Sequence, residues 1–151
     1  MKALIVCYSY HHNNTQKVAE AIAGVIGAEV KTPQQVNPSE LAGYDLVGFG
    51  SGIYMSKPHK DLLKFADNLP QIQNVKAFVF STSGQPNNGE KFHRSLREKL
   101  KAKGYRVVGE FNCTGFDTFG PFKLVGGLQK GHPNEADFTA AAVFAEKLKQ
   151  N

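Results

Sequence analysis

Short apolar runs alternate along the chain with segments whose apolar residues recur at helical spacing. The runs are Ala3–Tyr8, Asp45–Gly50, Val75–Ser81 and Tyr105–Asn112, with a shorter extended segment at Ala28–Lys31. Continuous apolar, β-branched runs are typical of strands that are buried on both faces of a parallel sheet. The pattern therefore predicts five strands, and we expect the first of them to lie in the centre of the sheet.

Helical periodicity follows four of these strands. The four segments are Val18–Ile26, Leu62–Ala66, Phe92–Leu100 and Ala136–Leu148. Gly27 and Gly104 are placed to end the first and third helices, because glycine readily adopts the left-handed conformation at a helix terminus. Strands that alternate with helices favour right-handed crossover connections. The sequence predicts one α/β domain over residues 1–151, a doubly wound three-layer sandwich with a five-stranded parallel sheet.

Composition agrees with a single globular domain. The 151 residues are 41% hydrophobic and 21% charged, which excludes disordered, collagenous and coiled-coil proteins. The longest apolar run, Ala3–Tyr8, is much shorter than the roughly 20 residues of a membrane span. Met1 and Lys2 are too little for the charged region of a signal peptide, so we expect a cytoplasmic protein with no membrane contact. Cys7 and Cys113 lie in strand-like contexts, which predicts buried thiols.

Charge and histidine spacing narrow the functional classes. The 18 Lys and Arg residues exceed the 13 Asp and Glu residues and give a net charge of +5. They are interleaved with acidic residues on the predicted helices, so nucleic-acid binding is not favoured. Adjacent His11 and His12 lack further ligands at metal-binding spacing, so we predict no metal site.

Three loops follow predicted strands at the sheet edge where ligands bind in doubly wound folds. They are Ser9–Thr15, Ser51–Ser56 and Thr82–Gly89. The first loop opens a helix, whose N–H groups and dipole favour a phosphate. It carries neither a nucleotide-hydrolase nor a dinucleotide glycine motif, and no Lys or Arg lies between Cys7 and Gln16. Its Ser, Asn and Thr residues also suit a loop and helix cap without a ligand.

A phosphatase is excluded by the same loop. Low-molecular-weight tyrosine phosphatases place a cysteine at the end of the first strand and an arginine six positions later, and here that position is Asn13. Without a guanidinium group, the charge of a phosphoryl group is not compensated.

The second and third loops suit a flat ligand. Gly52 allows close approach of the backbone, and Ile53 and Tyr54 offer surfaces for stacking. The small residues Thr82–Gly84 leave backbone N–H groups free for the polar edge of a ring. A phosphate loop, an apolar wall and a hydrogen-bonding edge together suit flavin mononucleotide (FMN).

Three segments carry a resemblance to a known family. Val6–Ile22 resembles the phosphate loop of flavodoxins, in which a hydroxyl residue, a small turn and an Asn-Thr pair wrap the FMN phosphate. Gly48–Tyr54 and Gly120–Pro133 are similar to short members of the same family. The resemblance covers nearly the whole chain and implies a flavodoxin-like strand order of 2-1-3-4-5. It implies that the phosphate is held by Ser9, His11, Asn13, Asn14 and Thr15, and the isoalloxazine ring by Ser51, Gly52, Ile53, Tyr54, Thr82, Ser83 and Gly84.

The resemblance implies an electron carrier with a non-covalent FMN, which acts between redox partner proteins as a monomer or weak homodimer. The alternatives are an FMN-dependent NAD(P)H:quinone-type oxidoreductase and a regulatory module without flavin. Phe116–Pro133 is interpreted either as a lid over the flavin or as a packed surface loop. In the absence of tryptophan, ring stacking falls to Tyr54, Phe116 or Phe119.

A basic rim distinguishes this chain from electron-shuttling flavodoxins, which are typically acidic around the flavin. The basic residues close to the predicted loops are Lys57, His59, Lys60, Lys91, His93 and Arg94. Cations favour the reduced, negatively charged flavin. We therefore predict a less strongly reducing flavin and a different class of partner.

Overall fold

The computed structural model of the protein describes residues 1–9, 14–84, 89–114 and 133–151. Its strands are β1 (Ala3–Tyr8), β2 (Glu29–Lys31), β3 (Leu46–Tyr54), β4 (Lys57–Pro58), β5 (Lys76–Ser83) and β6 (Arg106–Thr114). Its helices are α1 (Asn14–Ile26), α2 (Lys60–Asp67), α3 (Gly89–Ala102) and α4 (Glu135–Leu148). Two short 3-10 turns, Pro33–Gln35 and Pro38–Gly43, lie in the connection between β2 and β3.

The strands form one mainly parallel sheet in the order β2-β1-β3-β5-β6. This is the predicted order, once the two-residue strand β4, which pairs antiparallel to the end of β3, is set aside. The register aligns four residues in one row across the carboxyl ends of the strands. They are Tyr8, Ser51, Ser81 and Asn112.

Helices cover both faces of the sheet and divide the core into two halves. Side chains alternate along β5, because successive residues of a strand point to opposite faces. Phe78 and Phe80 pack with the buried side chains of α1 and α4. Ala77 and Val79 pack with those of α2 and α3. We refer to these halves as the α1/α4 face and the α2/α3 face.

On the α1/α4 face, two aromatic rings lie directly over two glycines of β3. Gly48 pairs with Phe78, and Gly50 pairs with Phe80. A Cβ atom built on either glycine would lie 2.2 Å from the Cζ atom of the paired ring. Only glycine leaves room for this packing.

Glycines end two helices as predicted. Gly27 has a φ of +70° and its N–H donates to the Ala23 carbonyl at 2.8 Å, which closes α1. Gly104 has a φ of +96° after α3, and a Cβ atom there would lie 2.0 Å from the Ile72 carbonyl oxygen. The left-handed conformation is accessible to glycine without steric cost.

Strand β3 continues further than the sequence predicts. The run was expected to end at Gly50, but the strand extends to Tyr54 and turns back into β4. The turn consists of Met55 and Ser56, which have φ values of 52° and 65°. Two consecutive residues at positive φ are typical of a tight hairpin whose twist matches the flanking strands. The predicted loop Ser51–Ser56 is therefore the end of a strand and a two-residue turn.

Burial of the two cysteines confirms the prediction. Cys7 in β1 and Cys113 in β6 are free thiols within the α1/α4 half of the core. No helix in the described ranges is long and apolar enough to span a membrane.

Candidate functional site

The first predicted loop begins with a side chain that points to the start of α1. The Ser9 hydroxyl oxygen accepts a hydrogen bond from the backbone N–H of Gln16 at 3.3 Å. Asn14 and Thr15, which open the helix, are both buried. His11 and Asn13, the other predicted phosphate ligands, lie outside the described residues. The described part of the loop thus joins a hydroxyl group to the positive end of a helix dipole.

A buried hydroxyl pair connects this loop to the end of β5. The side-chain oxygens of Thr15 and Thr82 are 2.8 Å apart, and the two residues are 2% and 4% exposed. Residues that were predicted to bind opposite ends of one ligand are therefore in direct contact. Ser83 and Gly84 follow Thr82 at the same edge.

Ser51 holds the β3–β4 hairpin against α2. Its hydroxyl donates to the Gly52 carbonyl at 2.6 Å and accepts from the backbone N–H of His59 at 3.0 Å. These bonds fix the hairpin next to Tyr8, which is the partner of Ser51 in the sheet register. The predicted contact of Ser51 with a flavin ring stays a prediction.

An aromatic wall stands beside the hairpin. The rings of Tyr8 and His59 stack with centroids 3.8 Å apart, and the Tyr54 ring meets His59 edge-on at 5.0 Å. A Cβ atom on Gly52 would lie 3.2 Å from the Tyr54 hydroxyl, so the tyrosine folds back over the glycine. Tyr54 and Gly52 were predicted site residues, whereas Tyr8 was not. Its place at the end of β1 was the available signal.

His59 is better described as part of this wall than as a rim cation. Its Nδ1 atom accepts from the backbone N–H of Asp61 at 3.0 Å and caps α2. Burial lowers the pKa of His59, with a further lowering by Lys60, while Asp61 acts in the opposite direction. The neutral imidazole is favoured, because a ring nitrogen that accepts a hydrogen bond cannot carry a proton.

The remaining rim residues divide into two groups. Lys57, Lys60, Lys91 and Arg94 are exposed, and their predicted effect on a flavin stays a prediction. His93 is not a rim cation, because only 1% of it is exposed and it lies under the first turns of α3. Hydrogen bonds to Ser81 and Glu110 offset the cost of burying the polar His93 ring. The residues next to His93 in the sequence do not reveal these partners.

His93 belongs to a linked set of polar side chains, which we call the His93 chain. It consists of Ser81, His93, Arg97, Glu110 and Asn112. His93 Nε2 is 2.6 Å from the Ser81 hydroxyl oxygen, and His93 Nδ1 is 3.0 Å from Glu110 Oε1. Arg97 bonds both oxygens of Glu110 at 3.0 and 2.9 Å. Sequence reasoning missed this set, although His93 and Arg97 lie four residues apart on one helix.

The chemical groups of the described residues are suited to FMN. A hydroxyl and a helix N-terminus suit a phosphate group, and an aromatic wall beside glycine suits a ring system. Groups of His, Cys, Asp and Glu that could hold a metal ion do not occur within the described ranges.

A family model described as a flavodoxin domain matches residues 5–119 of the chain. The chain belongs to the flavodoxin family. An uncharacterized protein of Methanocaldococcus jannaschii is 49% identical over 151 residues, which cover all of both chains. The family assignment agrees with the resemblance seen in the first strand and loop.

Solved structures of flavodoxins share the fold of this flavodoxin-family protein. Oxidised flavodoxin 1 of Bacillus cereus superposes with a TM-score of 0.71 at 21% identity, covering 99% of each chain. A Fusobacterium nucleatum flavodoxin bound to flavin mononucleotide gives a TM-score of 0.69 at 14% identity, covering 99% of this chain and 98% of that one. At these identities the likeness concerns the fold.

Proposed function

We propose that this protein binds FMN non-covalently and carries electrons between other proteins. The observation that carries the proposal is the Thr15–Thr82 contact of 2.8 Å, which joins the loop suited to a phosphate to the strand end suited to a ring. FMN, when bound, would supply reversible uptake of electrons. The chain would supply binding and orientation.

The described residues divide this work among three elements. Ser9 and the first turn of α1 would hold the phosphate, because both offer hydrogen-bond donors at a positive helix end. Ile53 and Tyr54 at the end of β3 would flank the ring. Thr82, Ser83 and Gly84 at the end of β5 would contact its polar edge. His11, Asn13 and Asn14 remain further candidates for the phosphate.

We propose redox proteins with acidic surfaces as the partners. The exposed Lys57, Lys60, Lys91 and Arg94 support this choice, because opposite charges accelerate encounter. We further propose that the protein works in the cytoplasm, as a monomer or weak homodimer.

The test is a titration of the purified protein with FMN and, in parallel, with riboflavin, which lacks the phosphate. We expect flavin fluorescence to be quenched by FMN binding, and riboflavin to bind at least about tenfold more weakly because it loses charge-assisted hydrogen bonds. Ser9→Ala should weaken FMN but not riboflavin, whereas Ser39→Ala, which is remote on a 3-10 turn, should change neither. Failure of the wild type to bind FMN would reject the proposal.

Anaerobic reduction of the loaded protein separates the carrier from the reductase. A carrier should take electrons one at a time from a dye and react slowly with NADH or NADPH. Rapid reduction by the nicotinamide alone would support the NAD(P)H:quinone-type oxidoreductase. The same titration measures the potential, which we expect to lie above that of acidic flavodoxins.

A further inference from the structure

The His93 chain runs from the surface of α3 to the carboxyl end of β5. At its outer end, Arg97 bonds Glu90 at 2.8 Å as well as Glu110. At its inner end, the Asn112 side-chain amide donates to the Ser81 hydroxyl oxygen at 2.7 Å. Ser81 and His93 are each 1% exposed. Such a polar chain inside the core is costly where a bond is missing, and among the described residues the buried Asn112 Oδ1 atom has no hydrogen-bond partner.

The donor and acceptor of each hydrogen bond in the His93 chain follow from the ionisation of Glu110. Burial alone would raise the pKa of Glu110, but hydrogen bonds and charge from His93 and Arg97 outweigh it and lower the pKa. A carboxylate is only an acceptor, so His93 Nδ1 must donate to it. His93 Nε2 then accepts a hydrogen bond from the Ser81 hydroxyl when the ring is neutral. Ser81 in turn accepts from Asn112.

Ser81, His93 and Glu110 are connected in the same order as a hydrolytic triad, but Ser81 is not accessible to a substrate. The Ser81 side chain is buried within the sheet layer, and its oxygen already contacts both His93 and Asn112. A nucleophile must reach a reacting atom, which Ser81 cannot do here. The His93 chain therefore has a structural role and not a nucleophilic one.

The His93 chain fixes the end of β5, which is part of the candidate flavin site. Ser81 immediately precedes Thr82, Ser83 and Gly84. The helix that carries His93 begins at Gly89, on the far side of residues 85–88, which lie outside the described residues. The hydrogen bond between His93 and Ser81 therefore connects the end of β5 to the start of α3. These two ends flank the predicted flavin loop Thr82–Gly89.

We propose that His93 is a positioning residue of the flavin site, which through the Ser81 hydroxyl fixes Thr82, Ser83 and Gly84 in the conformation that binds the ring. The inference rests on the proposed function, since it assigns a task to the same site. Glu110 fixes the tautomer of His93, and Arg97 keeps Glu110 ionised. His93 itself makes no contact with the flavin.

Two variants and one control isolate this role. His93→Phe removes both ring nitrogens, keeps an aromatic ring and leaves the Glu110–Arg97 ion pair in place. Ser81→Ala removes the hydroxyl alone. Leu96→Val is the matched control, because Leu96 is fully buried on the same helix and has an apolar side chain. The control reports the effect of lower stability without loss of the polar chain.

The first measurements use the protein without flavin. Nitrogen-15 chemical shifts at mildly alkaline pH should show His93 protonated on Nδ1 and unprotonated on Nε2. Amide hydrogen exchange at Thr82, Ser83 and Gly84 should become about tenfold faster in His93→Phe and Ser81→Ala, as expected for loss of a buried hydrogen bond. A proton on Nε2, or exchange no faster than in Leu96→Val, would overturn the proposal.

The second measurements use FMN. Each variant should raise the Kd of FMN about tenfold and shift the flavin absorption bands, while Leu96→Val leaves both unchanged. The double variant should bind no more weakly than either single variant, because both act on the same bond. Additive losses would overturn the proposal. If the wild type takes up no FMN, the proposed function fails, and the exchange rates still decide whether His93 positions the strand end.

Discussion

The two faces of β5 end in different chemistry at the carboxyl edge of the sheet. On the α1/α4 face, the rings of Phe78 and Phe80 are followed by Thr82, which pairs with Thr15 through two neutral hydroxyl groups. On the α2/α3 face, Val79 is followed by Ser81, which leads through the His93 chain to an ionised carboxylate and a guanidinium group.

The difference shows how one strand can serve two demands. A neutral pair closes the core next to the loop that is suited to a phosphate, so no buried charge there competes with an anionic ligand. The charged chain closes the other face, where it is directional and resists rearrangement. The α1/α4 face should therefore respond to changes of shape, and the α2/α3 face to changes of charge.

Added volume is expected to be most damaging on the α1/α4 face. Gly50→Ala places a methyl group 2.2 Å from the Phe80 ring, which must move within a packed core. We expect a loss of about 3 kcal/mol in the free energy of unfolding, measured by urea denaturation.

Gly24→Ala is the control for Gly50→Ala. Gly24 lies in α1 with open space around its Cβ position, so the substitution should stabilise the protein by about 0.5–1 kcal/mol. Equal effects of the two substitutions would contradict the packing of the ring over Gly50.

Loss of charge should be the second largest effect, on the α2/α3 face. Glu110→Gln weakens the bonds to Arg97 and His93, and we expect it to lower the free energy of unfolding by about 2 kcal/mol at neutral pH. The loss should be smaller than for a fully buried ion pair, because the Glu110 side chain is partly exposed. Glu90→Gln alters the other carboxylate of Arg97, which is 76% exposed, and should cost less than about 0.5 kcal/mol. Urea denaturation of both variants makes the comparison, and a larger loss in Glu90→Gln would contradict it.

The same pair of variants should differ in their response to acid. The pKa of Glu110 is lower in the folded protein than its ordinary value of 4.5. Its contribution to stability is therefore complete above that pH and is lost as the pH falls through the folded pKa. The free energy of unfolding of Glu110→Gln should fall less steeply with decreasing pH in this range than that of the wild type or Glu90→Gln.

Apart from the control variants, the smallest effect is expected for the neutral pair. Thr15→Val or Thr82→Val leaves one buried hydroxyl without its partner and should cost about 1 kcal/mol. The double substitution replaces both hydroxyls by methyl groups and should cost less than the sum of the single substitutions. A fully additive double variant, measured by the same denaturation, would show that the hydroxyls do not depend on each other.

The sequence predicts those features that depend on neighbouring residues. Apolar runs mark the strands, and the glycines at Gly27 and Gly104 mark helix ends, because strand burial and left-handed backbone each leave a local signal. The hairpin between β3 and β4 leaves none. Met55 and Ser56 lack the Asn-Gly type of signature, and their positive φ depends on pairing of the strands on either side.

The candidate site was predictable to the same extent. Ser9, Thr15 and Thr82 lie at strand and helix ends, where the fold brings them together. His93 was interpreted as a surface cation because it stands among Lys91 and Arg94 in the sequence. Its burial depends on Glu110, 17 residues away on a different element, and such a pairing exists only after the sheet has formed.

The buried cysteines carry a consequence for the chemical durability of the protein. Burial raises the pKa of Cys7 and Cys113 to about 12, with smaller contributions from the nearby carboxylates of Glu20 and Asp137. The thiolate is the form of cysteine that attacks alkylating reagents and peroxides, and it is scarce at such pKa values. The native protein should thus tolerate air without an added reductant, and the onset of labelling by a maleimide would time the opening of the core between α1 and α4.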